Sequence, residues 1–334
     1  MASMNEVWQK IMNSQSSLRT KGINAALFSA FFLGLAPIFG KQAIESGVNP
    51  LGVVAMRTLF ATLLLFVVML IFQRKYLYIY PAGLIGCLMA GAINGVGSLF
   101  YYSALGKIDA GLGQMLYMLY PFFVAFWMFL DRQSISKITI IRLMIAVPAV
   151  FLLVQTGPET SSEVWIGIIM MLVSSILYAL HLPINQRVLY DIPAPTVTLY
   201  TLLAMSAVVV PTYLLSGQYQ APAQISTAWV PVAMLTMVTF FSRLTLFTGV
   251  KHLGGLQTAL LGLSELLVTL LLSQIWLRES LTWIQWIGAG LMTITIFLVA
   301  LEKPTPHKKR EGGLLGWLSS PKPLTPRDIF TARD

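Results

Sequence analysis

The sequence predicts an all-α polytopic membrane protein, with ten transmembrane helices arranged as two inverted five-helix repeats. Three observations carry that prediction. Of 334 residues, 56% are hydrophobic and only 10% charged, with a mean hydropathy of +0.75, whereas soluble domains place roughly a quarter of their residues as charges. Apolar runs of about 20 residues, the length that crosses a bilayer core, follow one another with short links. The two halves of the chain also resemble each other when one is slid along the other. Every run must be helical, because backbone groups in hydrocarbon are satisfied only within a helix or a closed barrel, and continuous apolar runs lack a barrel's alternation.

Taken in order, segment 1–21 holds Lys10, Arg19 and Lys21. It has neither the apolar core nor the small-residue cleavage site of a secretory signal. It reads as cytoplasmic, and the first span, 22–44, as the insertion signal. Span 50–72 is followed by Arg74 and Lys75, and spans 80–106 and 109–130 meet at Lys107. Arg132 and Lys137 precede span 138–155, and Glu159 and Glu163 occupy the link to span 164–186. Arg187 leads to span 195–216, and span 228–250 ends at Lys251. Span 254–277, the Arg278-Glu279 link and span 283–301 complete the core. The remaining tail, 302–334, is rich in Pro, Gly and charge, carries Lys308, Lys309 and Arg310, and reads as disordered. Basic residues thus gather on alternate links, the others holding little beyond Lys107 and Arg278, each near an acid, and Lys41 at the rim, which places both termini in the cytoplasm of an inner-membrane protein. The net charge of +9 belongs to that surface and not to nucleic acid, because no basic groove or aromatic-basic module accompanies it.

The repeat appears at an offset of about 145 residues. SALGKIDAGLGQMLYMLYPFFVAFWMFLDRQSIS, from Ser103, aligns with TGVKHLGGLQTALLGLSELLVTLLLSQIWLRESLT, from Thr248, and Pro50 aligns with Pro195. Five spans per unit is an odd number, so the second unit, 164–301, enters the membrane from the side opposite to the first, 22–155. Inverted repeats of this kind place a transporter's site between the halves.

The stretches LGLAPIFGKQAI and PLGVVAMRTLFATLLL, the MLYMLYPFFVA of the fourth span and LSELLVTLLLSQIWLRESLTWIQWIGAGLMTITIFLV near the end resemble the ten-span EamA branch of the drug/metabolite transporter superfamily. Glu265, Glu279 and Gln285-Trp286-Ile287-Gly288 match its closing pattern, while Leu266 stands where that pattern has proline and Arg278 where it has glycine. The resemblance implies a secondary transporter, an exporter of a small metabolite or amino acid.

Ionisable groups inside a span usually face the bundle interior or a wet cavity. Arg243, about seven residues from the inner end of span eight, and Glu265, about eleven from the inner start of span nine, come level to within one turn at 1.5 Å per residue. They form either a structural brace or a site for the carboxylate and ammonium of a zwitterion, and Glu265 is alternatively the carrier of a coupling proton. Polar stripes follow helical spacing in other spans: Gly91, Asn94, Ser98 and Tyr101; Gly113, Tyr117 and Tyr120; Ser174, Tyr178, His181 and Asn185. The expected substrate-binding set is therefore Asn94, Tyr101, Tyr117, Tyr120, Tyr178, His181, Arg243 and Glu265. Arg57 either guards an outer vestibule or snorkels outward. Cys87 stands alone in an apolar run, so no disulfide is expected, and no His or Cys cluster suits a metal. No phosphate-binding loop, dinucleotide fingerprint or nucleophile elbow is present, so neither cofactor nor enzymatic chemistry is expected. The partners read here are a small solute, a coupling proton and the lipid bilayer. The rival reading is a channel or membrane scaffold braced by the same residues.

The topology is open to a direct test. Single cysteines placed at Lys75 and Lys309 are expected to react only with reagent supplied from the cytoplasm, and one at Glu159 only with reagent supplied outside. An outward-facing tail would remove the inverted repeat.

Overall fold

The computed structural model describes residues 4–108, 110–133, 135–154, 162–217, 222–276 and 283–298. Among them are twelve α-helices and no strand. In order they are α1 (Met4–Glu45), α2 (Pro50–Phe72), α3 (Pro81–Leu105), α4 (Ala110–Tyr117), α5 (Tyr120–Leu130), α6 (Lys137–Val154), α7 (Ser162–Leu189), α8 (Ala194–Leu215), α9 (Pro222–Leu253), α10 (Gly255–Gly262), α11 (Ser264–Trp276) and α12 (Trp283–Phe297). Six helical stretches are long and apolar enough to cross a membrane: Ser17–Glu45, Pro50–Phe72, Pro81–Leu105, Ser162–Leu189, Ala194–Leu215 and Ala228–Leu253. The expected count of ten is larger by four, because the segments read as spans four and nine are each divided into two shorter helices and those read as spans five and ten are described as the shorter helices α6, of 18 residues, and α12, of 15. The expected features at Glu159, Arg278, Glu279 and the tail 302–334 lie outside the described residues.

The elements begin where the chain supplies a start signal. Pro50 opens α2 at a position where its missing N–H costs nothing, and the Asn49 side chain accepts a bond from the Leu51 amide at 2.8 Å. Pro81 opens α3 in the same way, and α8 follows Pro193. The tight links after α1 and α9 rest on Gly47 and Gly254, whose φ values of 92° and 90° are open to glycine at little cost.

The outer surface is apolar, with Phe60, Ile71, Phe122, Phe129, Trp165, Trp229 and Trp283 exposed, while Arg142, His181, Asn185, Arg243 and Glu265 are buried. That inversion of a soluble protein's distribution suits hydrocarbon outside and polar contacts within. The ends of the bundle are marked by contacts between links. Tyr76 and Leu77 carbonyls accept Thr196 and Tyr200 hydroxyls, Lys251 reaches Ile192 O, and Arg187 pairs with Asp131 at 2.7 Å. At the other end Lys41 Nζ donates to Leu105 O at 3.0 Å and Ile108 O at 3.2 Å. Gly22 lies against His252 and Leu253, so Lys21 joins Arg74, Lys75, Arg132, Arg187 and Lys251 at the first of these ends.

The helices are interleaved across the middle of the chain. α1 packs along α9 and α3 along α7; α1 meets α10 and α11, and α7 meets α4 and α5; α2 lies on α8 and α6 on α12. Close approach is bonded as well as packed: Ser29 Oγ donates to Ser242 O and Thr269 Oγ1 to Gly34 O, both at 2.9 Å.

Both divided helices break for reasons visible in their bonding. Pro121 has no N–H, so the Tyr117 carbonyl loses its helical partner, and Ser175 Oγ takes it at 3.0 Å. In the other break the Leu263 amide turns to Leu260 O at 3.4 Å, which frees Ala259 O for the Tyr120 hydroxyl at 3.0 Å. Gly262 is needed there, because a Cβ on it would collide with Tyr120 Oη. Gly262→Ala is expected to destabilise the detergent-solubilised protein by about 1–3 kcal/mol. Tyr120→Phe in the same chain should recover part of the loss, and melting temperatures of the two single variants and the double variant check the coupling.

Candidate functional site

Between α1, α2, α3, α4, α7, α9 and α11 lies a small cavity of about 30 Å³, lined by Ala36, Arg57, Asn94, Gly97, Ser98, Tyr101, Tyr102, Tyr117, Ser174, Tyr178, Arg243 and Glu265. Glycine and serine keep its helix walls close to the space, and the charged and aromatic side chains project into it. Glu265 enters at the first turn of α11, beside the helix break, where amides at a helix N-terminus favour a carboxylate. It is 3% exposed, and its Oε1 accepts a bond from Gln114 Nε2 at 2.7 Å. Gln114 in turn accepts from the Tyr101 hydroxyl at 2.9 Å, so a chain of bonds runs Tyr101–Gln114–Glu265. Oε2 has no bonded partner.

The two arginines are held by aromatic faces. Arg243, 4% exposed, sits with its guanidinium carbon 5.4 Å from the centre of the Tyr178 ring, and its Nε and Nη1 make no hydrogen bond. Arg57, 5% exposed, stacks on Tyr102 at 4.6 Å and donates from Nη1 to Thr239 Oγ1 at 3.1 Å, leaving Nε unbonded. Cation–π contact holds a guanidinium in place while leaving its edge free for an anion.

Six of the eight expected residues, Asn94, Tyr101, Tyr117, Tyr178, Arg243 and Glu265, line this one space. Tyr120 and His181 do not. Tyr120 spends its hydroxyl on Ala259 O and packs edge-on against Tyr178, with ring centres 4.9 Å apart. His181 is wholly buried behind Tyr178, its Nδ1 against the Tyr178 carbonyl and its ring facing Phe247. Asn185 is likewise turned away, bonded to His181 O and Thr201 Oγ1. The anticipated proximity of Arg243 and Glu265 holds, but no ion pair joins them among the described residues; the carboxylate's bonded partner is Gln114. Of the two alternatives for Arg57, outward snorkelling is excluded by its burial, and the residue faces the central cavity. Arg57, Tyr102 and Gln114 were not in the expected set. A charge inside span two was the legible signal for the first, whereas an uncharged amide in GLGQMLY offered none for Gln114. No cluster of three His, Cys, Asp or Glu suited to a metal occurs among the described residues.

Comparison with known proteins adds an independent line. The sequence model of the EamA-like transporter family matches twice, at residues 20–155 and 165–301. An uncharacterized transporter of Synechocystis sp. is 24% identical over 220 residues, which take in 61% of this chain and span 63% of the relative's length. A solved crystal structure superposes with a TM-score of 0.65 at 18% identity, covering 86% of this chain and 97% of the other. At that identity the likeness speaks for the fold.

The bond between Gln114 and Glu265 predicts a measurable coupling. Gln114→Leu strands Glu265 Oε1 and the Tyr101 hydroxyl and is expected to lower unfolding stability by about 1–3 kcal/mol. Adding Glu265→Leu should return much of that loss. Equal stability of Gln114→Leu and the unaltered protein would mean that the amide does not hold the carboxylate.

Proposed function

Because the chain belongs to the EamA-like transporter family, we propose that it is a secondary transporter that moves a small organic solute through the central cavity by alternating access. The observation that carries this reading is the cavity itself: a small space lined by helices of both halves, into which two buried arginines and one buried carboxylate project with unbonded polar atoms. Unsatisfied charge at membrane depth is costly and points to a site that a ligand completes.

The proposed architecture is ten spans in two inverted five-helix repeats. What supports it is a pairing of contacts that survives exchange of the halves. α1 on α9 corresponds to α7 on α3, α1 on α11 to α7 on α5, and α10 on α5 to α4 on α11, while α6 on α12 and α2 on α8 map onto themselves. The two divided helices occupy corresponding places, and the family match falls in two copies of similar length. At the ends, Lys41 ties the link at Ile108 to α1 while Gln186 accepts the Gly255 amide at 2.8 Å, again at an offset of about 145 residues. Discontinuous helices at a repeat interface are where transporters place solute.

In this reading Arg243 takes an acid group of the solute, Glu265 takes an ammonium or hydroxyl donor or carries a coupling proton, and Tyr101, Tyr117 and Tyr178 form the wall. Export from the cytoplasm, an inner-membrane location and cytoplasmic termini complete the proposal, the last resting on the cations gathered at one end.

Solute counterflow in proteoliposomes tests it, since exchange requires alternating access and neither a channel nor a scaffold produces it. A neutral pair can replace a charged pair whose work is bracing. Arg243→Met with Glu265→Gln is therefore expected to fold and insert, yet to show no counterflow. Transport by the unaltered protein should vary with pH, and Glu265→Gln alone should flatten that profile. Full counterflow by the double variant, with an unchanged pH profile, would make the two residues a brace.

A further inference from the structure

Resting on the transport reading, we infer that the solute is a net organic anion, carrying one more negative than positive charge. The cavity holds two guanidinium groups, Arg57 and Arg243, against the single carboxylate of Glu265. Arg57 Nη1 is tied to Thr239 Oγ1 at 3.1 Å. Thr239 stands one helical turn before Arg243 on α9, so both cations are presented along one stripe of that helix. Tyr102 and Tyr178 occupy one face of each cation, which leaves Arg57 Nε and Arg243 Nε and Nη1 as donors without acceptors. A guanidinium edge is the side chain best suited to a carboxylate or other planar acid group. Among the described residues no second carboxylate lines the cavity, and of Glu265 the Oε1 is engaged by Gln114 while Oε2 remains open.

An open cavity tolerates a surplus cation through hydration. Alternating access requires a closed intermediate, and closing it expels that water, after which an uncompensated charge in a low-dielectric interior is strongly disfavoured. With Glu265 ionised, the loaded site is neutral only when the solute brings one net negative charge. A neutral zwitterion would satisfy Arg243 and Glu265 and strand Arg57. The class that fits is a small organic acid with an acid group for each arginine and a cationic donor for Glu265, or a single acid group bridging both arginines with a hydroxyl for Glu265.

The test compares cells producing the protein with cells producing Arg243→Gln at equal membrane abundance, by untargeted mass spectrometry of cytosol and medium. The solutes that redistribute only with the unaltered protein are expected to be net anionic at pH 7. In counterflow with the identified solute, Arg57→Gln is expected to lower exchange at least about tenfold, while Arg57→Lys retains part of it. Arg57→Gln should also shift preference toward an analogue with one fewer negative charge, which a purely structural arginine would not do. Redistribution of neutral or cationic solutes, with or without a requirement for chloride, overturns the anionic class and leaves the transport reading standing. No redistribution of any solute overturns both. Should Arg57→Gln fail to reach the membrane, the charge of the redistributed solutes decides the question alone.

Discussion

A bilayer offers no water to a broken helix, so each interruption inside the bundle must be bonded by another part of the protein. The hydroxyl of Tyr120 on the carbonyl of Ala259 meets that demand on one side, and the hydroxyl of Ser175 on the carbonyl of Tyr117 meets it on the other. The two breaks are linked, since Tyr120 opens the helix that follows the first break and its bond is made at the second. Much of the site depends on this. The break before α11 places Glu265 in a first helical turn facing the cavity, and the break after α4 leaves Tyr117 at a helix end, between Tyr101 and Tyr178 with ring centres 5.0 and 5.1 Å away.

The electrostatic design follows from the same geometry. Arg57 and Arg243 sit on tyrosine rings, not on carboxylates, and Glu265 is held by an amide, not by an arginine. Had the three charges been mutually paired, the cavity would be a closed ionic brace whose replacement by apolar groups costs little. Holding each charge by a neutral group orients it and leaves its bonding capacity free. By contrast Asp131 and Arg187, bonded at 2.7 Å with Gln133 adding 2.8 Å to the same carboxylate oxygen, have the character of a structural pair at the basic end of the bundle.

The all-helical membrane character was legible because hydropathy and run length are properties of local sequence, and the cavity stripes were legible because side chains three and four apart share a helix face. Asn94, Tyr101, Tyr117 and Tyr178 were found on that ground. The stripe rule failed where it assumed a continuous helix. Tyr120 follows the register of Tyr117 on an unbroken helix, but the turn at Met118 and Leu119 lies between them, and its hydroxyl serves the backbone of α10. Pro121 announced that break, while the break at Leu263 follows Gly262 and depends on a tyrosine far away in sequence. His181 and Asn185 show a different limit: a polar stripe can face a neighbouring helix as readily as a cavity, and only packing decides. Gln114 was missed because an amide gains importance only from what it touches.

The core is divided in a way that bears on motion. One apolar cluster gathers Tyr120, Val124, Leu182, Leu189, Phe247 and Leu260 toward the basic end, and a second gathers Val53, Leu105, Ile108, Met171, Val209 and Leu235 and extends through Met69 to Tyr76 and Leu77. The cavity lies between them, and Tyr117 packs against both. Packed cores move between discrete arrangements and do not deform smoothly. In the proposed transport cycle, opening the cavity separates the two clusters along it. Tyr117, at the end of α4 and beside the Pro121 break, touches both clusters and is a contact between them that such an opening disturbs. The interruption between α4 and α5 thus falls beside the side chain that, among the described residues, both clusters share.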